Sequence, residues 1–84
     1  MKTSEAKIII WLEETSRVPA YSAAKHIAAR CKIDYAYTLH ILEEMLAKGW
    51  VRKEDYGRNK YFFLAGRHRK KLFREAADLI GYER

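Results

Sequence analysis

Along the first sixteen residues the apolar residues Ile8, Ile9 and Leu12, with Trp11 beside them, recur at helical spacing. Thr3 or Ser4 offers an N-cap for this first helix. Glu5 sits where the helix dipole favours an anion. The run ends near Thr15-Ser16, because the proline of Arg17-Val18-Pro19 disfavours helical geometry in the residue before it. Val18 is expected to form a short extended piece. Ser22 reads as the next N-cap. The helix after it, over 23–31, places Ala24, Ile27, Ala28 and Cys31 on one face. A short turn over 32–34 follows, with Ile33 as a plug between two helices. Asp34 then caps a third helix over about 35–48. At about 100° per residue, Thr38, Ile41, Leu42 and Met45 share one narrow sector. Ala36, His40, Glu43 and Ala47 lie opposite, and Tyr37 and Glu44 lie on a flank. Gly49 supplies the left-handed residue that ends such a helix.

The pattern then changes period. Trp50–Glu54 and Lys60–Leu64 read as strands, and the turn "DYGRN" between them holds Gly57 and Asn59, which tolerate positive φ. This predicts a hairpin over about 50–64, anchored by Trp50 and Phe62. Alone it would be marginal, so it must lean on the helices. Alternation sends Phe62 and Leu64 one way and Tyr61 and Phe63 the other. Two apolar faces imply that both sides contact protein, or that one meets a partner. A last helix over about 67–81 carries Leu72, Ala76, Leu79 and Ile80 on one stripe, with Phe73 and Ala77 adjacent. The fold class is mainly α with a small antiparallel hairpin (α+β), as a single domain over 1–84.

Composition sharpens this in three ways. At 84 residues the domain buries a marginal core, so help from a second chain would be unsurprising. The net charge of +6 is concentrated. Residues 52–74 carry nine Lys/Arg against two Asp/Glu, a local +7, and residues 1–51 carry only +1. A localised basic segment is an electrostatic footprint for a polyanion, set against the plainer reading of a solvated, solubilising surface. Third, no apolar run approaches the roughly 20 residues that span a bilayer, no signal-peptide pattern opens the chain, and Cys31 stands alone. These features suit a reducing cytoplasm.

Chemistry is sparse. His26, His40 and His68 show no metal-ligand spacing. Glu13-Glu14 and Glu43-Glu44 are adjacent on helices and diverge, so neither forms a carboxylate dyad. There is no phosphate-cradling glycine loop or nucleophile elbow. The expectation is no enzyme, no cofactor, no metal and no small-molecule ligand.

The order of helix, short extended piece, helix, tight turn, helix, hairpin and helix resembles the winged helix-turn-helix family of DNA-binding domains. The stretch "SAAKHIAARCKIDYAYTLHILEEMLAKGWVRKE" is similar to the tri-helical core of MarR- and PadR-like regulators. Its third helix ends Leu42-x-x-Met45-x-x-x-Gly49-Trp50-Val51, and "KYFFLAG" (60–66) resembles their second wing strand. Small winged-helix proteins of archaea and their viruses are similar in size.

The resemblance implies a double-stranded DNA-binding protein and a transcriptional regulator, with the third helix in the major groove and the wing on the backbone or in the minor groove. Lys32, Tyr35, Ala36, Tyr37 and His40 would then line the recognition face. Ser22, Lys25, Arg30, Arg52 and Lys53 would meet backbone phosphates, and Arg58, Asn59 and Lys60 would form the wing contact. For the cations the plainer alternative is surface charge, including edge-strand protection. For Tyr35 it is packing against the wing. The third helix has no Arg or Lys before Lys48, so the commonest base-specific contact, arginine to guanine, is unavailable from it. That leaves open a protein-interaction module or a nonspecific architectural binder. The surplus stripe of Leu72, Phe73, Ala76, Leu79 and Ile80, with Ile8 and Trp11, predicts a homodimer interface, unless it only covers the chain's own core.

Overall fold

The computed structural model describes residues 1–82. Helix α1, Thr3–Glu14, starts one residue earlier than expected, with Lys2 at the cap. The Lys2 amide donates to Glu5 Oε1 at 2.7 Å, so the carboxylate inside the first turn reaches back to satisfy the free amide. Glu5 is buried and also accepts from Lys48 Nζ at 3.0 Å, which ties the start of α1 to the chain just after the third helix. Burial works to raise the Glu5 pKa, but the Lys2 amide and the Lys48 ammonium together hold it below the ordinary carboxylate value. Beyond Glu5, Ala6, Ile8, Ile9, Ile10 and Leu12 are all buried, because α1 packs against helices on two sides and the hairpin.

The expected extended piece at Val18 is not there. Pro19–Ser22 forms a single 3₁₀ turn, with the proline at a first-turn position where its missing N–H costs nothing. The extended residue comes later, at Ala23, which bridges antiparallel to Tyr61. Helix α2, Ala24–Cys31, is therefore capped by Ala23 without any side-chain bond. Ser22, expected at that cap, is 1% exposed and its hydroxyl has no partner among the described residues. Helix α2 closes on Lys32 at φ 56°, a left-handed residue without the usual glycine. The Ile33 amide then donates to the Ala28 carbonyl at 3.1 Å, the bond that seals such an end.

Helix α3, Tyr35–Ala47, is capped as predicted, with Asp34 Oδ2 accepting from the Tyr37 amide at 3.1 Å. Thr38, Ile41, Leu42 and Met45 are its buried face. Gly49 sits at φ 77°, and the Trp50 amide donates to the Met45 carbonyl at 2.9 Å. That closure turns the chain into the hairpin β1, Val51–Tyr56, and β2, Asn59–Leu64. Tyr56 pairs with Asn59, so the turn is only Gly57-Arg58, with Gly57 at φ 60°. Glycine first in a two-residue loop matches the strand twist. Asn59 belongs to the strand, not to the turn as expected.

The register places Val51, Leu64, Lys53 and Phe62 on the face toward the body, where Val51 and Phe62 are buried. The other apolar face borders Pro19 and Ala20 and is partly covered by the wing's own side chains. The Arg52 guanidinium carbon lies 4.7 Å from the Phe63 ring centroid, and Tyr56 and Tyr61 meet edge to face at 5.6 Å. Helix α4, Arg69–Ile80, lays Leu72 and Ala76 onto α1 within the common core. Arg69 pairs with Glu13 of α1. The expected homodimer interface is thus corrected in part. Ile8, Leu72 and Ala76, at 0%, 3% and 0% exposure, are inside this chain's own core. Leu79 is exposed, and Trp11, Phe73 and Ile80 are half-buried. Among the described residues, no helix is long and apolar enough to cross a membrane.

Candidate nucleic-acid interface

The bridge between Ala23 and Tyr61 pins β2 across the start of α2. Two residues back along β2 lies Asn59, so the wing tip is carried over the first turns of α2 and α3. A small cleft results, lined by Ala23, Ala24, Lys25, Tyr35, Arg58, Asn59 and Lys60. Lys25 comes from α2, Tyr35 from α3, and Arg58 and Lys60 from the wing, so three separate segments converge. None of the three cations has an ion-pair partner among the described residues. The first turn of α2 adds unpaired amides, since Ala23 offers no side-chain cap.

The base of the wing is different. Arg52 Nη1 is 3.1 Å from Glu54 Oε1, and Lys53 Nζ is 3.3 Å from Glu43 Oε1 of α3. Both cations already face a carboxylate of this chain.

On α3, Ala36, Tyr37 and His40 are exposed one turn apart. The Tyr37 and His40 rings stack at 6.4 Å with 20° between their planes. His40 Nε2 lies 2.6 Å from Glu44 Oε1. Thr38, between them in sequence, is buried.

The other predicted contacts fall elsewhere. Arg30 and Lys32 border a separate cavity with Lys7, Ile10, Cys31 and Ile80. Arg30 stacks on Trp11, its guanidinium carbon 5.7 Å from the ring centroid. Trp11 in turn donates its indole N–H to the Tyr21 carbonyl at 2.9 Å. Ser22 is corrected outright, because its buried side chain cannot reach a phosphate. Lys7 escaped the sequence reading, since nothing in the spacing of α1 brings it beside Lys32. Burial, partly offset by Lys7, pushes the Cys31 thiol up to about 11. Among the described residues no cluster of three metal-ligating side chains occurs.

Three helices, a hairpin seated on them and a fourth helix define a winged helix-turn-helix fold. No family model matches the chain, and no curated protein matches it by sequence. Solved structures do. AF1382 from Archaeoglobus fulgidus is similar over 100% of this chain and 92% of its own, with a TM-score of 0.81 at 18% identity. MepR, a transcription regulator of the Staphylococcus aureus multidrug efflux pump MepA, is similar over 93% of this chain with a TM-score of 0.76 at 13% identity. The Mycobacterium tuberculosis MarR family protein Rv2887 is similar over 90% of this chain with a TM-score of 0.59 at 18% identity. The chain spans 56% of the length of MepR and of Rv2887. At these identities the likeness is one of fold.

Proposed function

We propose that this chain is a double-stranded DNA-binding protein of the transcription-regulator class. In this reading the Tyr37–His40 face of α3 enters the major groove. Arg58, Asn59 and Lys60 lie on the flanking backbone or in the minor groove, and Lys25 holds a phosphate beside them. The observation that carries it is the convergence of Lys25, Arg58 and Lys60, all unpaired among the described residues, on one cleft beside the start of α3. Unneutralised cations gathered from α2 and the wing suit a polyanion better than a solvated surface does. Two of the similar structures were solved with small molecules, MepR with ethidium and Rv2887 with salicylic acid. We extend to this chain only the DNA-binding lobe, acting in the cytoplasm and without catalysis.

A homodimer fits this reading, with Leu79, Phe73, Ile80 and Trp11 at its seam. It would set two recognition helices about 34 Å apart. Sedimentation at micromolar concentration checks it, and a strict monomer that binds DNA tightly would remove it. A protein-interaction role has one observation in its favour, the carboxylates Glu43 and Glu44 on an α3 that lacks cations. Gel retardation of random duplex across roughly 50 to 200 mM salt separates the two. DNA binding through several phosphates predicts a steep fall in affinity, and no retardation even at low salt would leave the protein partner.

A further inference from the structure

The recognition face carries a charge that one proton can cancel. Four ionisable groups meet around its centre. Glu43 is matched by Lys53 from the wing, at 3.3 Å. Glu44 is matched only by His40, at 2.6 Å, and His40 is a cation only when protonated. With a neutral imidazole the face is therefore net −1, and with an imidazolium it is net zero. A net negative face opposes the field of the major groove, whose edges are lined by phosphates.

We propose that DNA binding through this face takes up a proton at His40, so that affinity rises as pH falls through the histidine range. This rests on the DNA reading above. The physical cause is linkage. In the free protein the imidazole faces one carboxylate, Glu44, and the Tyr37 ring. From the neighbouring wing strand, Lys53 is engaged by Glu43, and no other charged side chain among the described residues is within ion-pair distance of His40. Bound DNA adds phosphates to that surrounding, which favours the charged imidazole. A group that binds its proton more tightly in the complex makes complex formation favour acid. Histidine is the side chain whose ordinary titration falls in this window. The pair thereby restrains binding while the imidazole is neutral and releases it once the imidazole is protonated.

The test is duplex affinity by fluorescence anisotropy at pH 6 and pH 8, at constant ionic strength. Wild type is expected to bind about tenfold tighter at pH 6. His40→Gln keeps a hydrogen bond to Glu44 but cannot charge, and its affinity is expected to be flat with pH, near the wild-type value at pH 8. Glu44→Gln removes the uncancelled anion, and is expected to bind at pH 8 nearly as tightly as wild type at pH 6. His26→Gln and His68→Gln should retain the full pH response. Equal wild-type affinity at both pH values overturns proton uptake and leaves DNA binding standing, as does a pH response that survives His40→Gln. No binding at either pH overturns the DNA reading and this inference together.

Discussion

The wing tip, which lies beside the start of α3, and the exposed face of α3 are built on opposite electrostatic plans. At the tip, Arg58 and Lys60 stand without carboxylate partners among the described residues, and Lys25 joins them from α2. On α3, Glu43 is matched by Lys53, and Glu44 is matched only when His40 is protonated. In the proposed DNA reading, the difference separates two tasks that many nucleic-acid binders combine in one arginine-rich helix. Affinity that ignores sequence comes from cations on phosphates. Selection among sequences comes from groups that meet base edges, and in the proposed DNA reading those are Tyr37 and His40, on a face without surplus positive charge. In that reading the wing would bind many duplexes and the helix would discriminate weakly among them.

The largest expected effect breaks the comparison by removing the scaffold. Phe62 is fully buried under β2 and holds the wing on the body. Phe62→Ala should cost about 3–5 kcal/mol, read by chemical denaturation. In a domain this small that is enough to lose the fold, and the geometry of the tip with it.

Glu5 sharpens the comparison from the other end, since it braces α1 against Lys48 just beyond α3. Its carboxyl is held below its ordinary value, so its stabilisation is present above the unfolded value and is lost as pH falls through the lower folded one. Stability of wild type should decline below about pH 4. Glu5→Gln should be less stable at neutral pH by about 2 kcal/mol and should show a shallower acid decline. Thermal unfolding from pH 3 to pH 7 checks both.

Tyr37→Ala acts only on the helix side. It should change sequence preference by about 1 kcal/mol at one or two positions in a duplex selection, with little change in nonspecific affinity. Arg52→Ala is expected to have the smallest effect on binding. That guanidinium is already engaged by Glu54 and Phe63, so the salt dependence should stay near wild type.

Much of this arrangement was legible in the residues. The buried sector of α3, its Asp34 cap and the Gly49 closure follow from helical periodicity and backbone chemistry, both local properties. The wing was legible because period-two alternation flanked a glycine turn. What was not legible depended on contacts between distant segments. Ser22 looked like a cap because its side chain is suited to one, but the bridge from Ala23 to Tyr61 fixes where α2 begins and leaves Ser22 inside. The stripe of Leu72 and Ala76 could not say which surface it would cover, since a partner's helix and the chain's own α1 bury the same pattern. The Tyr61–Phe63 face read as one that contacts protein or a partner, and a cross-strand arginine lies over Phe63. The division of the cations into paired and unpaired sets was also invisible, because Glu43 and Lys53 meet only when the wing is seated on α3.

The central claim is that unpaired cations at the wing tip supply the sequence-independent part of DNA binding. Its most direct measurement is the slope of log affinity against log salt for wild type and for Arg58→Ala/Lys60→Ala on a random duplex. The account predicts that the double variant binds more weakly to every sequence and that its slope is shallower by about 2, one unit for each phosphate left without its cation. An unchanged slope, with affinity equal to wild type, would contradict it.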